Sequence, residues 1–204
     1  MPSYSFGKKN KQDRSLRPVS NALEEWSDEQ LMQGLSGGRL ACGAALFERY
    51  HRPLINYFYR LCSRVDWSED LGQITFERII RYRHTYRVDL PFRAWMYQIA
   101  RSQLADYYKR HGREMTGIYG EDHRFGQEAP VSRQMESREQ EDTLQKALAA
   151  LPSEYREVLI LTRYQGMKYQ EAGQTLGISE GAVKVKVHRA IQQLKVLYFK
   201  FDQE

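Results

Sequence analysis

Lys184, Lys186, His188 and Arg189 stand in one short stretch beside Gly181, Ala182 and Val185. Side chains of these types break no bonds at that spacing, but they can bind. Lysine and arginine grip phosphates, which supplies affinity without reading sequence. Small residues let a helix approach base edges, and an outward valine can meet a thymine methyl group. The five histidines, at 51, 84, 111, 123 and 188, include no pair at metal-ligand spacing. There is no nucleophile elbow, phosphate-cradling glycine loop or Walker lysine motif. The chain is therefore read as a binding protein, not an enzyme, with no catalytic residue, metal or cofactor expected.

These cations need a helix to aim them. Val183, Val187, Ala190, Ile191, Leu194 and Leu197 recur at spacings of three and four, an amphipathic stripe. At about 100° per residue, Gly181, Val185 and His188 lie opposite that stripe, Ala182 and Arg189 beside them, and Lys184 and Lys186 on the flanks. Ser179 suits the N-cap, ahead of Glu180. The preceding segment places Ala172 and Leu176 on one face and ends at Gly177, a residue that turns readily with positive φ. Helix, short glycine-containing turn and basic helix form a helix-turn-helix, whose second helix enters a major groove. A plain helical hairpin with a solvated basic face has the same periodicity. The outward Val185 and the small pair Gly181-Ala182 favour the groove.

A net charge of +5 over 204 residues suits a polyanionic partner. It is concentrated: residues 77–113 carry nine Lys and Arg against three acidic residues, and residues 163–200 carry seven against two. Two separate nucleic-acid contacts are expected. Cys42 and Cys62 lack metal-ligand spacing and read as packed thiols in a reduced compartment. No apolar run approaches a membrane span and the start is polar, so a cytoplasmic protein without membrane insertion is expected.

The organisation predicted is all-α, two small helical domains joined by a flexible linker, the C-terminal one a helix-turn-helix. Residues 1–25 read as a flexible basic tail and 26–112 as the first domain. Its helices start after Ser27, then run from about Gly43 to Leu61, from Trp67 to about Tyr82 and from Phe92 to about His111. Residues 113–142 read as linker, with seven acidic side chains against three basic between 121 and 142. The second domain, 143–204, resumes the helical pattern at Thr143.

Three stretches of the first domain, "SEDLGQITFERI" from Ser68, "RYRHTYRVD" from Arg81 and "LPFRAWMYQIARSQLADYYKR" from Leu90, precede the helix-turn-helix in an order that resembles the extracytoplasmic-function (ECF) sigma factors of bacterial RNA polymerase, a group of the sigma-70 family. The resemblance covers roughly Asp28 to Tyr198. It implies that Glu69, Asp70, Leu71, Gln73 and Phe76 form the region-two helix that docks on the polymerase's largest subunit, with Leu71 and Phe76 holding that helix to its own domain. It implies capture of unpaired −10 bases by Arg83, His84, Tyr86 and Arg87, with Arg93, Tyr97, Arg101, Ser102, Lys109 and Arg110 on the adjoining helix. In that helix Trp95, Ile99 and Leu104 read as core, and Tyr97, Tyr107 and Tyr108 as rings able to stack on bases. The −35 contact would fall to Ser179, Glu180, Gly181, Ala182, Lys184, Val185, Lys186, His188 and Arg189.

The partners implied are core RNA polymerase through its largest and second-largest subunits, promoter DNA (double-stranded at −35, single-stranded at −10) and an anti-sigma factor. The sequence departs from the family at Ile74, where an acidic residue is usual, and at Ser102, where asparagine is. Gly173 replaces the usual alanine, at a cost of roughly 1 kcal/mol in helix propensity. The alternative is a stand-alone two-domain helix-turn-helix regulator, which has no use for the Asp70 face. A site-specific recombinase is the weaker third reading, because its catalytic domain calls for an α/β pattern.

Overall fold

The computed structural model describes residues 23–111 and 131–203, with side chains from Glu139 onward in the second stretch. The tail 1–22 and the expected linker over 113–130 lie outside the described residues. Among the described residues every regular element is helical.

Helix α1 (Asp28–Ser36) opens on a reciprocal cap. The Gln30 backbone N–H donates to Ser27 Oγ at 3.2 Å, and the Ser27 N–H donates to the Gln30 side chain at 2.8 Å. Helix α2 (Leu40–Cys62) runs through Pro53 and buries Leu46, Leu54, Tyr57, Phe58 and Leu61. Ser63, with φ at 55°, turns the chain so that α3 (Val65–Arg81) packs back along α2, Phe47 meeting Phe76 edge-on with ring centroids 4.9 Å apart. A single tight turn at Arg83–Thr85 leads to α4 (Phe92–His111), whose first N–H donates to Glu29 at 3.1 Å. The buried residues of α4, among them Phe92, Met96, Tyr97, Ala100, Gln103 and Leu104, form a wide band rather than a narrow stripe. Two of its sides are covered, by α3 and by the second helical unit.

That unit begins with α5 (Val131–Ala150), which starts inside the stretch read as linker rather than at Thr143. Pro152 then opens α6 (Ser153–Leu159), where its missing N–H costs nothing. A wider turn, Ile160–Tyr164, extends α6, the Gln165 N–H reaching five residues back to the Ile160 carbonyl at 2.9 Å. The hairpin follows as α7 (Tyr169–Leu176) and α8 (Glu180–Phe201). Val183, Val187 and Ala190 of α8 are buried, as the stripe predicts.

The expected turn glycine is present, with Gly177 at φ 70°. Gly173 has a reason that helix propensity does not contain. The Ile178 N–H donates to the Gly173 carbonyl at 3.0 Å, folding the turn so closely over α7 that a Cβ at Gly173 would lie 2.7 Å from the Ile178 carbonyl oxygen.

The two units also pack on each other. Gln145 of α5 donates to Ser63 Oγ at 3.0 Å, Arg156 of α6 donates to the Leu61 carbonyl at 2.9 Å, and the Arg60 guanidinium lies over the Tyr164 ring at 3.7 Å while pairing with Glu141 at 2.7 Å.

Gly173→Ala is expected to lower stability by about 1–3 kcal/mol through overpacking, although alanine is the better helix former. Thermal unfolding followed by circular dichroism checks this, and a raised midpoint would show that the turn relaxes at no cost.

Candidate polymerase and nucleic-acid interfaces

On α3, Glu69, Asp70 and Gln73 are exposed, whereas Leu71 and Phe76 are 1% and 5% exposed. Spacings of one and four place the three polar side chains on one outward face. The apolar pair anchors the helix inward. This is the division of labour expected from sequence.

The loop after α3 is more ordered than a solvated loop. Ser36 Oγ donates to the Arg83 carbonyl at 2.7 Å, and the Arg83 guanidinium donates to the Ile80 carbonyl at 2.8 Å. Tyr86 does not present its ring outward as expected. It packs edge-on against Trp95 at 5.3 Å, its hydroxyl donates to the Leu90 carbonyl at 2.7 Å, and burial pushes its pKa up to about 12. His84 and Arg87 are exposed, Arg87 paired with Asp89 at 2.8 Å.

Helix α4 departs furthest from expectation. Tyr97 is fully buried, its ring 5.0 Å from that of Tyr57 and its hydroxyl donating to Gln165 Oε1 at 2.7 Å. Here it is a packed residue rather than a stacking platform, and burial raises its phenol well above the ordinary range. Arg93 donates to the Gln165 carbonyl. Arg101 donates to Glu157 Oε1 at 2.7 Å and to the Thr175 carbonyl at 3.0 Å. Tyr107 packs on Trp67 and His111, and Tyr108 reaches the Leu61 carbonyl at 3.4 Å, so neither ring is free to stack. Leu104 is buried, while Trp95 and Ile99 are half-buried against the core. Ser102, Lys109 and Arg110 are exposed. Sequence reasoning missed Glu157, Gln165 and Thr175 as partners of α4, because these pairs lie 56 to 74 residues apart and no local pattern encodes them.

On α8, Ser179 accepts from the Ala182 N–H at 3.2 Å and sets the start of the helix. Glu180, Gly181, Lys184, Val185, His188 and Arg189 are exposed and Ala182 half-buried, with Val185 49% exposed. An exposed valine between exposed cations is the arrangement a groove-reading helix needs. Lys186 differs from expectation: it turns back to pair with Glu154 of α6 and lies near the Tyr155 ring, which takes it off the outward face.

Family models agree with this layout. The sigma-70 region 2 model matches residues 46–114 and the sigma-70 region 4 model matches residues 141–194. An ECF RNA polymerase sigma factor of Bacillus subtilis, SigM, is 30% identical over 156 residues, covering 75% of this chain and 93% of the relative. The chain belongs to the ECF sigma factors of the sigma-70 family. SigE of Mycolicibacterium smegmatis, another ECF sigma factor, is 36% identical over 149 residues, and the match covers 72% of this chain and 57% of that relative's length. Among solved structures, CnrH in complex with the cytosolic domain of CnrY matches 83% of this chain and 96% of its own, with 25% identity and a TM-score of 0.63. The family accounts for both domains and their order, and makes the stand-alone regulator the poorer reading. No helix among the described residues of this sigma factor is long and apolar enough to cross a membrane.

The pairing of Lys186 separates it from its neighbours. In holoenzyme bound to a −35 duplex, Lys184→Ala and Arg189→Ala are each expected to lower the salt slope by about one unit, and Lys186→Ala by clearly less. Val185→Ser is expected to change which duplex variants are preferred, with a loss on the order of 1–3 kcal/mol per affected base pair. Equal slopes for all three lysine and arginine variants would return Lys186 to the phosphate-contacting set.

Proposed function

We propose that this sigma factor carries core RNA polymerase to its promoters through three surfaces: the outward side of α3 for the enzyme, α8 for the −35 duplex, and the Arg83–Asp89 loop with α4 for the unpaired −10 strand. The observation that carries the reading is the outward face of Glu69, Asp70 and Gln73 on a helix anchored by Leu71 and Phe76, within the region 2 match. A carboxylate and amide surface suits a basic, polar docking site on the largest subunit. Region 4 would take the second-largest subunit as well as DNA, as the resemblance implies.

At −10, His84 and Arg87 are exposed whereas Arg83 and Tyr86 are half-buried, so base capture is assigned to the exposed pair. Tyr86 holds the loop against Trp95 and has a positioning role. Arg93, Arg101, Lys109 and Arg110 are assigned to the strand backbone, where cations grip without reading sequence. Catalysis of RNA synthesis would belong to the polymerase. CnrH was solved with the cytosolic domain of CnrY, and a protein partner is proposed for this chain too: an anti-sigma factor, as the resemblance implies.

Asp70→Arg is expected to weaken association with core at least about tenfold, as reversal of a close charge at an interface does, while helical content stays unchanged. A titration at moderate salt reads this, and unaltered affinity would favour the stand-alone regulator. His84→Ala combined with Arg87→Ala is expected to spare core binding and to diminish strand opening, read by permanganate reactivity of unpaired thymines. Normal opening by that pair would remove the loop from the −10 contact.

A further inference from the structure

Two hydrogen bonds tie the loop between α3 and α4 to a helix far from it in sequence. At the start of the loop, Ser36 Oγ donates to the Arg83 carbonyl at 2.7 Å, across 47 residues. At its end, the Phe92 N–H donates to Glu29 Oε1 at 3.1 Å, across 63 residues. Both partners stand on α1, seven residues apart, and seven steps of about 100° return to nearly the same side of a helix. Along the axis they are separated by roughly 10 Å. Helix α1 thus lies across the loop and holds it at either end.

Each contact meets a local deficit. The first N–H of α4 follows Pro91, whose side chain carries no acceptor, so this helix cannot be capped from its own flank as α1 is by Ser27. The Glu29 carboxylate takes that orphan N–H, and its charge suits a helix N-terminus. Within the loop, the Thr85 N–H donates to the Tyr82 carbonyl at 2.8 Å and the Leu90 N–H to the Arg87 carbonyl at 3.1 Å. These bonds shape the turns without fixing where the loop stands. Tyr86, packed on Phe92 and Trp95, ties it to α4. Ser36 ties it to α1.

Helix α1 is stiff enough to act as a reference. Leu31, Met32 and Leu35 are at most 1% exposed, and Asp28 pairs with Arg49 at 3.0 Å and accepts from the Tyr50 hydroxyl, both on α2. Ser36 is exposed and Glu29 half-buried, so neither belongs to the apolar core. What their hydrogen bonds fix is the course of the chain from Arg83 to Phe92.

We infer that α1 is a splint for the base-capturing loop, with Ser36 and Glu29 as positioning residues: they touch no base, but they set where His84 and Arg87 stand relative to the cations of α4, and so which unpaired base is accepted. This deepens the −10 reading made above and rests on it. A cation near a phosphate tolerates displacement, because attraction between charges falls off slowly with distance. A hydrogen bond to a base edge does not, because it weakens steeply off its line. A loop released from α1 therefore keeps its grip on a single strand and loses its choice of base.

The test uses holoenzyme and a labelled, random-sequence single-stranded 12-mer pool, whose bound fraction is sequenced. The unaltered sigma factor is expected to enrich the best base over the worst by roughly five- to a hundredfold at the captured position, the range that one base contact supplies. Glu29→Ala combined with Ser36→Ala is expected to bring that ratio close to one, while affinity for the pool as a whole and for core changes by less than about twofold, since phosphate contacts carry no sequence information. Glu29→Gln keeps an oxygen acceptor for the Phe92 N–H and Ser36→Thr keeps the hydroxyl, so each should preserve the ratio. A merely structural role would lower helical content or core binding and leave the ratio of the bound fraction as it was. An unchanged ratio in the double alanine variant overturns the splint, and so does an equal loss in the Gln and Thr variants. Should the double variant lose helical content, Ser36→Ala alone decides, because that residue is exposed at the end of α1. His84→Ala combined with Arg87→Ala reads the underlying assignment separately. If that pair keeps the ratio, the loop does not read the base and the splint has nothing to hold; if it loses the ratio while the alanine pair on α1 keeps it, only the splint falls.

Discussion

The carboxylate of Glu157 accepts from a phenol buried in the first domain and from a guanidinium on its basic helix, and the arrangement of the whole molecule hangs on that demand. Burial, then the adjacent Glu157, holds the Tyr57 phenol well above its ordinary pKa, so the phenol stays a donor at neutral pH. A buried donor needs an acceptor. With region 4 in place that acceptor is Glu157, and the orientation of α6 follows, and with it the positions of Gln165, α7 and the outward face of α8. The first domain therefore positions the second through these polar contacts, beside apolar residues of both units that belong to one buried cluster.

The same demand explains why α4 reads so poorly as an amphipathic helix. A helix packed on one side shows one stripe. Helix α4 meets α3 on one side and region 4 on another, so its buried residues fill a wide band that includes Gln103 and Tyr97. Its positive charges lie at the margins of the buried area. Arg93 and Arg101 can therefore serve a protein acceptor or an external anion without being rebuilt, because a guanidinium fork accommodates carbonyl, carboxylate and phosphate oxygens alike.

What was legible in the sequence follows from range. Capping by Ser27 and Gln30, the stripe on α8, the turn at Gly177 and the split between Asp70 and Leu71 are set by residues within a turn or two of each other, and all stand as expected. Tyr86, Tyr97 and Lys186 did not, each for a partner distant in sequence or hidden by its type: Trp95 for Tyr86, Gln165 for Tyr97, Glu154 for Lys186. Aromatic residues and cations are read as outward when they suit DNA, yet the same types suit a polar protein interface. The start of α5 at Val131 escaped because its first turns are polar in sequence and carry no apolar period. Gly173 was read as a cost because propensity measures an isolated helix, while the approach of the Ile178 carbonyl is a tertiary fact.

Two demands meet in region 4 and are kept apart by the side of the hairpin each uses. Thr175 and Gln174 give their carbonyls to the first domain from the end of α7, whereas Gly181, Val185 and His188 face outward from α8. Because the two sides of the hairpin do not overlap, packing of α7 on the first domain leaves the outward face of α8 uncovered.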